Sequence, residues 1–398
     1  MADPHVEKQI PAIMGLGFRP LFLAGCTFGM LSLVLWGLAL SGTIHFEPFG
    51  HALWWHPHEM IFGFCGAIVV GFLLTAVQNW TGVPGLRGIP LLLLVLLWAA
   101  GRLLLLGFWD LPAWLVVTTD VSFLPVAGIA LAYPLFKVWN ARNLFFVPVL
   151  LLFAGTNLMS YAGLLGQDPI LVKQAYLAAI FLVVLLMVVI GGRVIPFFTA
   201  RGLGVQKVAP IPLLEWFSLG SVWLLTFLFF LAPLFRLPDG VMSGLFAFAG
   251  VCHFVRALRW KTWTTLRVPL LWSLHAGYLF IPFGLILFAV AYAQGNPYAS
   301  SAIHMLTVGA MGNMILAMVA RVSLGHTGRK LQPHPIMSLA FLFLIAAALI
   351  RVLFTWILPQ STTLLLNLSI GAWLLGFGIF AAVYWPILTR PRVDGKPG

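Results

Sequence analysis

Apolar residues run along this chain in blocks of about twenty, divided by short polar or turn-forming breaks, and blocks of that length match the hydrocarbon thickness that a membrane-spanning helix must cross. Twelve can be placed, at residues 19–40, 58–78, 89–107, 113–133, 144–165, 172–195, 212–233, 240–260, 268–292, 302–322, 335–357 and 363–385, hereafter spans 1 to 12. Pro, Gly, Asn or Asp punctuate nearly every gap, as in Gly82-Val83-Pro84-Gly85 and Gln294-Gly295-Asn296-Pro297. No gap is long enough for a second domain. The pattern predicts an all-α polytopic membrane protein, a single transmembrane domain over residues 1–398. The 17 residues ahead of span 1 are polar and mixed in charge with no cleavable signal apparent, so span 1 is expected to remain in the mature protein.

Composition agrees: 61% of residues are hydrophobic and 8% charged, with a mean hydropathy of +1.03. The net charge of +12 would suit a nucleic-acid partner if it lay on one surface. Its distribution says otherwise. When the loops are assigned alternately, starting inside, all but four of the 22 Lys and Arg fall on the inner side, and only Arg102, Lys173, Arg236 and Arg351 lie on the outer one. That asymmetry is the positive-inside rule, with both termini cytoplasmic and an even number of spans. The charge is therefore topological; the expected partner is the lipid bilayer, and nucleic acid is excluded. Cys26, Cys65 and Cys252 all fall within spans, which argues against a disulfide framework. They read as buried packing, with Cys65 or Cys252 as a copper ligand the alternative.

Ten histidines occur in this apolar chain, and His58, His253, His275 and His304 lie within or at the lip of spans. An ionisable side chain at membrane depth marks a functional site by default. Together they point to bound metal or haem, proton handling, or both; any one could instead cap a helix or bond a neighbouring span. Topology converts position into depth. Spans 8 and 9 form a hairpin about residue 264, with His253 and His275 each 11 residues from it. At about 1.5 Å rise per residue the two imidazoles sit at similar depth in the inner half of the membrane. There they could share a metal or clamp a haem, or each could bond a carbonyl on a third helix. At the outer face, the segment His51 to Met60 opens span 2, with Pro57 suited to a first helical turn and Glu59 to its positive dipole end. His304 opens span 10 in the same direction, at the depth of His58. His56 cannot share the helical face of His58 and is expected at a separate site or in solvent.

An internal echo reinforces that outer pair. Gly63 and Gly66 follow His58 at +5 and +8, and Thr81-Gly82 at +23 and +24; Gly309, Gly312 and Thr327-Gly328 follow His304 at the same offsets. Small residues three apart leave a groove that a helix or a flat ring can approach. Arg193-Val194 and Thr199 end span 6 at the spacing of Arg321-Val322 and Thr327 in span 10. Spans 2, 6 and 10 could thus occupy equivalent places in a threefold set of four-helix units, although span 6 has only Tyr176 where the others have histidine.

Several stretches resemble the NnrS family of membrane proteins over nearly the whole chain. They are Gly17-Phe18-Arg19-Pro20, Trp55-His56-Pro57-His58-Glu59-Met60, Gly71 to Val77 with Asn79-Trp80-Thr81-Gly82, Gly191-Gly192-Arg193-Val194-Ile195-Pro196, and His304 through Arg329. The resemblance implies a haem- and copper-containing protein of the bacterial inner membrane, tied to nitric oxide metabolism, denitrification or resistance to nitrosative stress. The arrangement more distantly resembles haem–copper oxidases and nitric oxide reductases, which have twelve spans in a pseudo-threefold bundle and a haem held by histidines on spans 2 and 10. Those enzymes also draw ligands from spans 6 and 7, where this chain has no histidine.

The expected cofactors are haem b and copper. His58 and His304 are the expected axial ligands, and imidazoles at both axial positions would make an electron carrier, whereas nitric oxide needs an open one. Arg102 and Arg351 are the outer cations available to haem propionates, and Asp120 could pair with either. His253 and His275 are the candidates for a second metal centre, and His56 is a further candidate ligand. Trp54, Trp55, Trp80, Trp260 and Trp263 suggest interfacial anchors. No Cys-x-x-Cys-His occurs, which excludes c-type haem attachment. Two function classes follow. One is a metalloprotein that binds or turns over nitric oxide or a related small ligand, as an oxidoreductase or a sink, with an electron donor the sequence does not identify. The other is a transporter or channel for a metal, haem or small ligand, with histidines as transit ligands.

Overall fold

The computed structural model describes residues 10–295 and 298–395. The Asn296-Pro297 part of the break after span 9 lies outside them, as do Lys8 and Lys396, two of the Lys and Arg assigned to the inner side. The described residues form helices and connecting turns with no strand. Each of the twelve predicted spans meets a helix: α1 Phe18–Leu40, α2 Ala52–Thr81, α3 Gly88–Leu104, α4 Ala113–Lys137, α5 Ala141–Leu165, α6 Pro169–Leu203, α7 Pro212–Phe230, α8 Asp239–Arg259, α9 Pro269–Ala293, α10 Ala299–His326, α11 Met337–Ile357 and α12 Pro359–Thr389. Eleven are long and apolar enough to cross a membrane; α3 is apolar but has only 17 residues.

The boundaries follow local chemistry. Pro212 and Pro269 stand in the first turns of α7 and α9, after extended residues Ile211 and Val268, where a missing N–H costs nothing. Gly82 ends α2 in the left-handed region at φ 69°, and Gly328 takes φ 75° just beyond α10, a conformation that favours glycine. The start of α2 differs from expectation. His51 caps the helix, its ring accepting from the Trp54 amide at 3.1 Å, so helix begins at Ala52 and Pro57 sits inside it. Large apolar side chains such as Leu31, Leu93, Ile129 and Leu151 stay exposed on the helix surfaces, as lipid-facing residues do.

The chain divides into two compact units: Met1–Ala179 with Val322–Leu331 and Ala381–Gly398, and Ile180–Arg321 with Gln332–Phe380. In the first, two of the motifs seen in the sequence act as locks. The Phe18 amide donates to Thr75 Oγ1 at 2.9 Å, and fully buried Arg19 donates to the carbonyls of Leu388 and Arg390 at 3.0 and 2.8 Å. A cation on the last carbonyls of α12 satisfies groups that the helix end leaves open.

Three local breaks in α-helical geometry lie at the sites, and one of them, the π-helical stretch Ile350–Phe354 of α11, carries Arg351. In α2, residues Glu59–Cys65 adopt the wider π-helical turn immediately after His58. In α10, Met305–Gly312 do the same immediately after His304. The echo read from glycine spacing is thus also an echo of backbone. Helix α6 has no such break, so it does not share the local pattern of α2 and α10. Three of the four glycines after the histidines leave no open groove, whereas at Gly66 only the Ile61 carbonyl of its own helix comes within 4 Å. Phe28 and Arg102 fill the space at Gly63, Phe280 that at Gly309, and Leu344 with Trp373 that at Gly312.

Candidate functional site

Burying charge inside a membrane protein requires that each charge be answered, because no water is present to do it. In the first unit one cluster meets that demand. His58 has no solvent exposure, and its ring stacks on Trp54 with centroids 4.4 Å apart. Its Nδ1 lies 3.0 Å from Glu59 Oε1, and its Nε2 lies 2.8 Å from Asn157 Oδ1 and 3.2 Å from Asp120 Oδ2. Asn157 is oriented by its own Nδ2, which donates to Asp120 Oδ2 at 2.8 Å; the Tyr161 hydroxyl donates to the same oxygen at 3.0 Å. The Arg102 guanidinium donates to Glu59 Oε1 at 2.6 Å and pairs with Asp120. Both nitrogens of His58 therefore face acceptor oxygens. A ring carrying a proton on each nitrogen satisfies them, and the cluster is then neutral, with His58 and Arg102 set against Glu59 and Asp120.

Five helices build this cluster. The π-turn of α2 places His58 and Glu59, α3 supplies Arg102, α4 Asp120, and α5 Asn157 and Tyr161. From α6, the Tyr176 hydroxyl donates to the Trp54 carbonyl at 2.8 Å, which steadies the indole over His58. A Cβ at Gly63 would lie 2.8 Å from Arg102, so glycine there lets the guanidinium reach Glu59. His56 stands apart, stacked on Trp36 at 4.5 Å.

The second unit holds another buried cluster. Arg256 on α8 makes a two-pronged pair with Glu215 on α7, at 3.0 Å from Nε and 2.5 Å from the terminal nitrogen. Its other terminal nitrogen donates to the Val188 carbonyl and to the Tyr278 hydroxyl, both at 2.9 Å. That hydroxyl donates in turn to His253 Nδ1 at 2.7 Å, while His253 Nε2 is buried without a hydrogen-bond partner. His275 is held separately by two hydroxyls, Thr199 at Nε2 (2.8 Å) and Thr262 at Nδ1 (2.9 Å). No hydrogen bond or ring contact joins the two imidazoles, so equal depth has not produced a shared site in this arrangement. The Gly191-Gly192 pair has a steric purpose: a Cβ at Gly192 would overlap the Arg256 guanidinium, and one at Gly191 would press on Tyr278.

His304, in the second unit, is only half-buried. Its Nδ1 donates to the Ser300 carbonyl at 2.7 Å, and Arg351 on α11 donates to the Ser300 hydroxyl at 3.1 Å. The expected ligand and the expected propionate cation thus converge on one residue. A carbonyl that accepts from Nδ1–H is the kind of neighbour that metal-binding histidines use to hold the ring in place. The donor chemistry at His304 fits haem.

His58 does not fit as it stands, because both nitrogens are engaged and the Arg102 charge is already answered by two carboxylates. A copper shared by His253 and His275 does not fit this arrangement either: His275 is held at both nitrogens, His253 keeps only Nε2 unpartnered, and the described residues contain no group of three or more His, Cys, Asp or Glu able to hold a metal. Cys26, Cys65 and Cys252 are buried and free, as packing residues are. Of the expected tryptophan anchors, Trp54, Trp55 and Trp260 are buried, whereas Trp263 is exposed; Trp54 covers His58 and Trp260 packs on Tyr278.

Glu215, Arg256, Tyr278, Asn157 and Tyr161 were not singled out from sequence. Glu215 and Arg256 could have been: each is a charge in an apolar run, the signal that drew attention to the histidines. Nothing in the sequence marks Asn157 or the tyrosines, because polar residues that bond across helices look like any others along a span.

The protein-family profile described as NnrS protein matches residues 12–392 of the chain. No curated protein matches it.

Proposed function

The chain belongs to the NnrS family, and from that premise we propose that it is a haem b protein of the bacterial inner membrane that binds nitric oxide, serving nitric oxide metabolism or resistance to nitrosative stress. His304 would hold the haem, with Arg351 at hand for a propionate. The observation that carries this reading is the convergence on Ser300 of the His304 ring, whose Nδ1–H meets its carbonyl at 2.7 Å, and of Arg351, which donates to its hydroxyl at 3.1 Å. His58, bonded through both nitrogens, is left out of the ligand set in this reading. A haem held there would supply the iron to which nitric oxide binds. The protein's own part is to fix the ring of His304, to set a cation beside it, and to keep the buried Arg102 and Arg256 charges paired.

The absorbance of purified protein tests this. Wild type is expected to show a haem b spectrum that changes on adding nitric oxide. His304→Ala should lose it, and His58→Ala should keep it while unfolding at a lower temperature. Haem retained by His304→Ala, or lost by a folded His58→Ala, would overturn the assignment.

A further inference from the structure

Four arginines of the described residues are deeply buried, and three are answered. Arg102 meets Glu59 and Asp120, Arg256 meets Glu215, and Arg19 meets two helix-end carbonyls. Arg321 is different. It is 6% exposed, its Nε is buried without a partner, and no carboxylate or hydrogen-bond acceptor among the described residues meets its guanidinium. The group lies over the Phe198 ring on α6, 3.7 Å from the centroid. Arg201, three residues further along α6 and exposed, is the charge that acts on it, and that charge is of the same sign.

A guanidinium does not escape burial by losing its proton. An aromatic face offsets part of the cost of burying it, but does not replace a counter-ion. A neighbouring cation adds to the cost. What lowers it is an anion, and the planar donor fork of arginine matches the oxygens of phosphate and similar groups. On the positive-inside reading, the end of α10 that carries Arg321 faces the cytoplasm, where exposed Arg201 is open to water and to lipid headgroups. Thr199, between Phe198 and Arg201, has its hydroxyl engaged by His275 at 2.8 Å, so the two arginines are the donors. We propose that Arg321 and Arg201 bind a phosphate-type oxyanion, with Phe198 as the wall behind it. That group is either free phosphate from the cytoplasm or the headgroup of an anionic lipid.

The test uses the full chain in maltoside micelles, which contain no phosphate, with unfolding temperature followed by tryptophan fluorescence. Inorganic phosphate is titrated against chloride at matched ionic strength, and phosphatidylglycerol is added in a separate arm. If the anion is free, phosphate stabilises wild type saturably; if it is a headgroup, phosphatidylglycerol does so and phosphate does not. In either case R201Q should need about ten-fold more anion for half effect. R321Q should lose the response, and without anion it should unfold no earlier than wild type, because an unanswered charge is gone. Absence of any wild-type response in either arm, or an equal response in R321Q, overturns the site. Should R321Q fail to fold, R201Q decides: its side chain is exposed, and an unchanged half-effect concentration would refute the two-arginine site.

Discussion

At the scale of single residues, the first cluster behaves as a set in which each charge exists only because the others do. Removing one partner strands the rest. Arg102→Gln leaves Glu59 and Asp120 facing one cation, and a stranded buried charge costs about 3–5 kcal/mol. The unfolding temperature should fall accordingly, while adding Asp120→Asn to Arg102→Gln should recover part of the loss. Additive losses in the double variant would show that the two side chains are not coupled. Gly192 makes a steric prediction of the same kind. Gly192→Ala intrudes on Arg256 and should cost about 1–3 kcal/mol, whereas Gly244→Ala, on the next helix but one with open space around it, should be near neutral. Equal effects would mean that Arg256 simply moves aside.

At the scale of elements, the π-turns after His58 and His304 are the irregularities that matter. A π-turn accommodates an extra residue in an α-helix and turns everything before it relative to everything after. Deleting Met60 should restore α-helical register in α2 and rotate His58 by about 100° away from Asn157, since each helical residue turns through that angle. The expected outcome is lower stability with haem retained. Deleting Met305 should do to His304 what the first deletion does to His58, and haem absorbance should disappear. A Met305 deletion that keeps its haem spectrum would show that the π-turn does not position the ligand.

At the scale of the whole molecule, topology governs which clusters face which compartment. Reporter fusions in the loop between Gln294 and Ser300 should report the periplasm, and fusions after Arg390 the cytoplasm. The opposite result at either place would move His304 to the inner face and Arg321 to the outer one. The cytoplasmic oxyanion proposal would then fall with it.

Much of this architecture was legible in the chain. Apolar length against bilayer thickness located all twelve helices, because backbone in hydrocarbon must bond within its own segment. The motif set identified the family, and the Lys and Arg asymmetry gives the orientation expected of it. The glycine echo after His58 and His304 also foretold a shared backbone feature, since both are followed by a π-turn. Partners were another matter. That Asp120 and Arg102 would meet was readable as a charge rule, but that Asn157 and Glu59 would occupy both nitrogens of His58 was not. Equal depth along a hairpin suggested that His253 and His275 could meet, yet Tyr278 and two threonines hold them apart. Depth is a one-dimensional quantity that sequence supplies through rise per residue. The direction in which a side chain points, and what waits for it on three other helices, is set by helix rotation and packing, and these the tertiary structure alone decided.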